Sequence, residues 1–286
     1  MLRAVQHTLD ERNIKPQRLG VELDTLKVTE YRSFQNWFEN VELVDVAEAL
    51  MWRRLVKSDE EIALMREGAR IADIGGRAIK NAIREGITEY ELTQIGINAM
   101  VPEIAKAYPH QELRETFSLV QSGINTDGAH NWPTTRKLQK GDILSINTFP
   151  MMSGHYTAME RTMFLGQPDE RSLEIWKLNV EAYELGLELV KPGAIAGEVA
   201  AELNRFFEKH DLLQYAPIGY GHSFGVMSPY YGREAGMEFQ EHIETELKPG
   251  IVVSMEPMLA IPNHLPGAGG YREHDMLVIT KDGYEN

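Results

Sequence analysis

Three histidines and two glutamates stand out as groups that could move protons on a bound ligand: His130, His222, His274, Glu160 and Glu256. His222, Glu256 and His274 arrive in that order in Gly221-His222-Ser223-Phe224-Gly225, Ser254-Met255-Glu256-Pro257-Met258 and Tyr271-Arg272-Glu273-His274-Asp275, each at a predicted strand end beside glycines that leave room for a ligand. An imidazole with an ordinary pKa of about 6.5 exchanges a proton near neutrality, and a carboxylate grips a cation. Glu256 lies between apolar stretches, so burial would require a partner to offset its desolvation. Strand alternation over Tyr156-Thr157-Ala158-Met159-Glu160-Arg161-Thr162 aims Glu160 at the same face as Ala158 and Tyr156. His130 ends the polar loop Ser122-Gly123-Ile124-Asn125-Thr126-Asp127-Gly128-Ala129-His130. Each has a plainer role open to it: His130 as a surface or capping residue, Glu160 as an ion-pair partner of Arg161, His274 as a solvated ring between two acids. Recurrence of these residue types at corresponding places in two halves of the chain favours a common site.

The elements that must position them follow from caps and periodicity. Ser58-Asp59-Glu60-Glu61 has the N-cap and acidic first turn of a long helix that stops near Gly86, and Thr88-Glu89-Tyr90-Glu91 caps a second running to about Ala107. The order recurs: a helix from Ser172 to Val190 ends at Lys191-Pro192-Gly193, and another spans Ala196 to His210. Lys140-Gly141-Asp142-Ile143-Leu144-Ser145 matches Lys248-Pro249-Gly250-Ile251-Val252-Val253 at nearly the offset that separates Gly86 from Gly193. A duplication would set two helix pairs over one curved antiparallel sheet with a cleft between halves; a chance recurrence of helix–Gly–helix is the alternative. Ahead of this, Leu19–Leu23 and Val41–Val46 read as strands and Thr29–Glu39 as a helix, too little to form a core alone.

The length of 286 residues fits one large domain or one with an appended piece, and the composition is that of an ordinary globular chain. A net charge of −14 argues against nucleic acid, which needs a basic face. No apolar run approaches a membrane span and no signal-peptide core opens the chain. With no cysteine, disulfides and thiolate zinc sites are excluded, any metal would rest on His and carboxylate, and a cytoplasmic location is expected.

From about Ser58 to Asn286 the chain resembles the pita-bread fold shared by methionine aminopeptidases, prolidases and creatinases, and creatinases most of all. The motifs that carry the likeness are Gln121–Asn131, Gly219-Tyr220-Gly221-His222-Ser223-Phe224-Gly225, Tyr230-Tyr231-Gly232-Arg233-Glu234-Ala235-Gly236 and Pro266–Asp275. The resemblance implies an α+β pita-bread domain over residues 56–286, with residues 1–55 the C-terminal remnant of a creatinase-type N-terminal α/β domain plus linker. The five metal-ligand positions of the peptidase branch, two Asp, one His and two Glu, fall on Asn147, Ala158, His222, Glu256 and His274. Ala158 has no lone pair to give and Asn147 is a poor ligand, so no metal or other cofactor is expected.

By the same resemblance His130 is the general base and acid. Glu160 and Glu256 grip a guanidinium, His222 and His274 line the pocket, and Tyr156 and Arg233 meet the substrate's other end. The implied reaction is metal-independent hydrolysis of creatine to sarcosine and urea by a homodimer. Ring opening of ectoine, another delocalised C–N cation bearing a carboxylate, is the close alternative. A metal-dependent Xaa-Pro or methionine aminopeptidase and a non-catalytic pita-bread binding module are the remaining ones.

Overall fold

Reciprocal capping boxes start the two helices that open the main body. Glu61 N–H donates to Ser58 Oγ at 3.3 Å while Ser58 N–H donates to Glu61 Oε2 at 2.8 Å, and Thr88 with Glu91 repeats the pattern at 3.2 and 2.8 Å. These caps fix α4 (Asp59–Ala82) and α5 (Glu89–Ala107) close to where the sequence places them. The helix expected from Ser172 starts earlier, as α6 (Glu170–Leu189), because Asp169 is its cap and accepts from Ser172 N–H at 2.9 Å. It is followed by α7 (Ala196–Lys209). In this computed structural model residues 1–111, 113, 115–226 and 237–286 are described.

The described residues form two compact units, Met1–Arg54 and Leu55–Asn286. In the first, β1 (Arg18–Val21) pairs in parallel with β2 (Glu42–Asp45), and the chain also forms α1 (Leu2–Glu11), α2 (Val28–Trp37) and α3 (Ala47–Leu55). Neither α1 nor α3 was expected. α1 has no side-chain cap at its start, although Leu2, Val5 and Leu9 repeat at helical spacing and were the available signal.

In the second unit, β3 (Phe117–Ser122), a 3-10 turn (Gly123–Asp127), β4 (Ile143–Phe149), the hairpin β5 (Met151–Met152) and β6 (His155–Tyr156), and β7 (Met159–Phe164) make up the first half. β8 (Val252–Met255), β9 (Met258–Ile261), β10 (Gly269–Ile279) and β11 (Tyr284–Glu285) complete the second. Among the described residues seven strands share one antiparallel sheet in the order β11-β10-β7-β4-β3, with β8 and β9 both pairing along β10. The strand expected from Tyr156 to Thr162 is interrupted, since β6 ends at Tyr156 and β7 begins at Met159.

The duplication is visible in the backbone. Gly86 N–H donates to Leu138 O at 2.9 Å and Gly193 N–H to Leu247 O at 2.8 Å, and the return bonds Leu138 to Ile87 and Leu247 to Ala194 match as well. The glycines at these junctions share one left-handed conformation, φ 82° at Gly86 and 85° at Gly193. Ile79, Leu92, Val120, Leu144 and Ile146 form the core under the first helix pair. Ile175, Ala182, Leu203, Phe207, Val253, Met255 and Tyr271 form the core under the second.

Alternation along β10 then separates two faces. Glu273 and Asp275 meet Trp176 and Tyr183 of α6, whereas Arg272 and His274 point the other way, toward the first half. Gly270 lets this strand approach the 3-10 turn: a Cβ there would lie 1.8 Å from Thr126 O, and its N–H donates to Thr126 Oγ1 at 2.8 Å.

Candidate active site

Register brings the two halves' acids and bases together. His274 of β10 lies directly opposite Glu160 of β7, the strand from the other half. β8 and β9 pair with successive stretches of β10, and the break between them, Glu256-Pro257, places the Glu256 carboxylate beside His274. His274 Nδ1 lies 3.1 Å from Glu256 Oε2 and 3.7 Å from Glu160 Oε1. Neither approach has hydrogen-bond geometry, so His274 Nδ1 and Glu160 Oε1 are held by ion pairing and not by hydrogen bonds, and His274 Nε2 makes no hydrogen bond. Buried polar atoms are nearly always hydrogen-bonded in folded proteins, so a cluster left without such bonds is a candidate place for a ligand.

Ionisation follows the arrangement. Burial alone would raise the Glu160 carboxyl, but His130, His274 and Arg272 outweigh it and hold the group well below the ordinary carboxylate range. Glu256, likewise opposed by burial, is pulled down to about 2 by His274 and His222. Burial works against the charged form of His274, yet Glu256 and Glu160 raise it from 6.5 to about 10. The site therefore holds two carboxylates with an imidazolium between them at neutral pH.

His222 turns its Nδ1 to Ser223 O at 2.9 Å; a carbonyl only accepts, so Nδ1 carries the proton. Its Nε2 then faces Glu256 Oε1 at 3.4 Å. Phe224 stacks on the His222 ring at 4.7 Å and meets the His274 ring edge-on at 5.7 Å.

His130 follows the 3-10 turn and reaches across to the carboxylates, its Nε2 3.7 Å from Glu160 Oε1. Its ring packs edge-on to Phe149 at 5.8 Å, and its side chain is 34% exposed, so water reaches it. Tyr156 is buried, donates its hydroxyl to Glu115 at 2.5 Å, and belongs with Phe149, Ala158 and Phe224 to the apolar cluster flanking these rings. Arg233 lies outside the described residues.

One group of the site received no role from sequence reasoning. The buried guanidinium of Arg272 donates to the carbonyls of Thr126 at 3.3 Å, Gly128 at 2.9 Å and Ala129, and stands 3.8 Å from Glu160 Oε2. It thus ties the residues just before His130 to the carboxylate that His130 faces. Its position two residues before His274 on one strand was the available signal. Arg161 on the opposite face donates from Nη1 to both Glu160 O at 2.7 Å and His274 O at 2.8 Å, clamping the two strands at the register that joins the site.

The donor set does not fit a paired-metal centre. Ala158 presents only a methyl group, and the Asn147 amide is spent on Leu119 O at 3.1 Å and Ser145 Oγ at 3.2 Å. Glu160, Glu256 and His274 do offer ligand atoms within 4.8 Å of one another.

Known proteins with the same sequence features and fold bear on this reading. The chain is 59% identical over 285 residues to a creatinase of Bacillus sp. (strain B-0618), an alignment covering all of this chain and 69% of that protein. A solved Xaa-Pro dipeptidase from Bacillus anthracis superposes with a TM-score of 0.85 at 26% identity, covering 99% of this chain and 75% of that one. A prolidase from Pyrococcus furiosus does so with a TM-score of 0.83 at 25% identity, covering 94% and 75%. The pita-bread fold is thus the chain's own, and with the family profile matching residues 63–281 the chain belongs to metallopeptidase family M24.

Proposed function

We propose that the chain is a metal-independent amidinohydrolase that converts creatine and water to sarcosine and urea. One observation carries the reading: two carboxylates, Glu160 buried and Glu256 part-buried, converge on His274 with a water-accessible histidine beside Glu160, in a chain 59% identical to a creatinase. A guanidinium stays protonated at any biological pH, and paired carboxylates are its natural receptors. Glu160 and Glu256 grip the cation, orient its central carbon and keep it electrophilic. His130 takes a proton from water as the oxygen attacks that carbon. The tetrahedral intermediate then expels the sarcosine nitrogen, which receives the proton from His130. Creatine and one water balance against sarcosine and urea.

His222 and His274 line the pocket, and the family resemblance assigns Tyr156 and Arg233 to the carboxylate end of the substrate. That similarity favours creatine over ectoine. The lack of fit at Asn147 and Ala158 supports chemistry without metal. The homodimer, the cytoplasmic location and the reading of residues 1–55 as the closing part of a creatinase-type N-terminal domain rest on the same resemblance and on composition. Among the described residues no helix is long and apolar enough to cross a membrane.

Urea release from creatine by the purified chain tests the reaction, and its absence sinks the proposal. His130→Ala is expected to abolish turnover while creatine still binds in equilibrium measurements; an unchanged rate would refute its role.

A further inference from the structure

We propose that Glu89 is a positioning residue that holds the loop carrying His130 in its catalytic place, an inference resting on the role given to His130 above. Glu89 opens α5 directly after the Thr88 cap and is fully buried. Its Oε1 accepts from Ser122 N–H at 2.8 Å, Ser122 Oγ at 2.6 Å and Asn125 Nδ2 at 3.0 Å. Its Oε2 accepts from Thr134 N–H at 2.7 Å, Thr134 Oγ1 at 2.8 Å and Asn125 Nδ2 at 3.1 Å. Ser122 is the last residue of β3, Asn125 sits in the 3-10 turn and Thr134 lies beyond His130. A single carboxylate therefore closes both ends of the segment and holds its turn.

The anchoring spreads toward His130 from this point. Asn131 donates to Asn125 O at 3.1 Å and to Asp127 Oδ1 at 2.8 Å, and Gln121 Nε2 donates to Asn131 O at 2.8 Å. From the site side Arg272 holds the carbonyls of Gly128 and Ala129. His130 is thus suspended between two anchors, one cationic in the site and one anionic behind the loop.

Glu89 has a built-in control in the second half of the fold. Its N–H donates to Arg136 O at 3.1 Å, and in the duplicated half Ala196 N–H donates to Thr245 O at 3.0 Å. The same helix start is made there by an alanine. A buried carboxylate is expensive to desolvate, and the junction is formed without one in that half. Its presence in the first half coincides with the loop that bears His130.

The Glu89→Gln substitution keeps the shape but turns an acceptor into an amide donor facing N–H and O–H donors, so at least one contact fails and the loop shifts. A displacement on the order of 1 Å costs about 100-fold in rate, so kcat for urea release is expected to fall roughly 10- to 100-fold with KM little changed. Amide exchange over residues 122–134 is expected to accelerate while α4 to α7 stay protected.

An undiminished kcat for Glu89→Gln, or unchanged exchange in the loop, overturns the proposal. If His130→Ala alone keeps its rate, or the parent chain releases no urea, the reaction reading fails instead, and the exchange pattern by itself decides whether Glu89 fixes the loop. Should Glu89→Gln fail to fold, Thr134→Val, which removes one hydroxyl donor, is expected to show the same pattern at about 3- to 10-fold in kcat. No kcat effect and no change in loop exchange for that variant would also overturn the proposal.

Discussion

Replacing His274 with glutamine tests the electrostatics of the site. His274 is buried and its pKa rises from 6.5 to about 10 between Glu160 and Glu256. At about 1.4 kcal/mol per pH unit, that rise corresponds to a contribution on the order of 5 kcal/mol. Because the folded-state value is the higher one, the contribution is fully present below pH 6.5 and is lost as pH rises through about 10. His274→Gln leaves two carboxylates facing each other with Arg272 as the remaining cation, and breaking such a buried pair costs about 3–5 kcal/mol. Denaturation of the parent and the variant, followed by near-UV circular dichroism at about pH 6 and about pH 10, should show that deficit at the acidic end and little of it at the alkaline end. An equal deficit at both ends would contradict an imidazolium held between the two acids.

Two further substitutions probe the surroundings. On the opposite face of β10, burial raises Glu273 from 4.5 to about 7, although Trp176 donates to it at 3.0 Å and Arg161 stands 3.7 Å away. A raised carboxyl disfavours the folded state increasingly as pH rises from about 4.5 to about 7, so Glu273→Gln should stabilise by up to about 3 kcal/mol near pH 8 and have no such effect below about pH 4.5; thermal melts at both pH values check this, and destabilisation at pH 8 contradicts it. Arg272→Lys keeps the charge but cannot span three carbonyls with a planar fork, so kcat should fall by about 10- to 100-fold with an unchanged circular dichroism spectrum. An undiminished rate would remove Arg272 from the site's support.

Much of the frame is legible in the sequence because its signals are local. Ser58, Thr88 and the Gly86 and Gly193 junctions announce four helices and the duplication, and the structure places those helices within a few residues of expectation. Glu160 and His274 are brought together by strand register, whereas Glu256 lies in the break between β8 and β9 and His222 outside the named strands, not at the strand ends the sequence suggested. The parts that escaped depend on long-range contacts. Arg272 reads as one more charged residue until its guanidinium is seen gripping carbonyls of Thr126 and Gly128. Glu89 reads as an acidic first-turn residue, and only packing shows it buried against Ser122 and Thr134. The α1 helix was missed for want of a cap, although Leu2, Val5 and Leu9 repeat at helical spacing.

The most direct test is urea release from creatine by chelator-treated protein whose metal content is measured on the same sample. Full turnover with metal far below one ion per chain is the predicted result, since in the proposed mechanism Glu160 and Glu256 polarise the substrate and His130 activates water without a divalent cation. A rate that vanishes on chelation and returns in proportion to bound manganese, cobalt or zinc would contradict it.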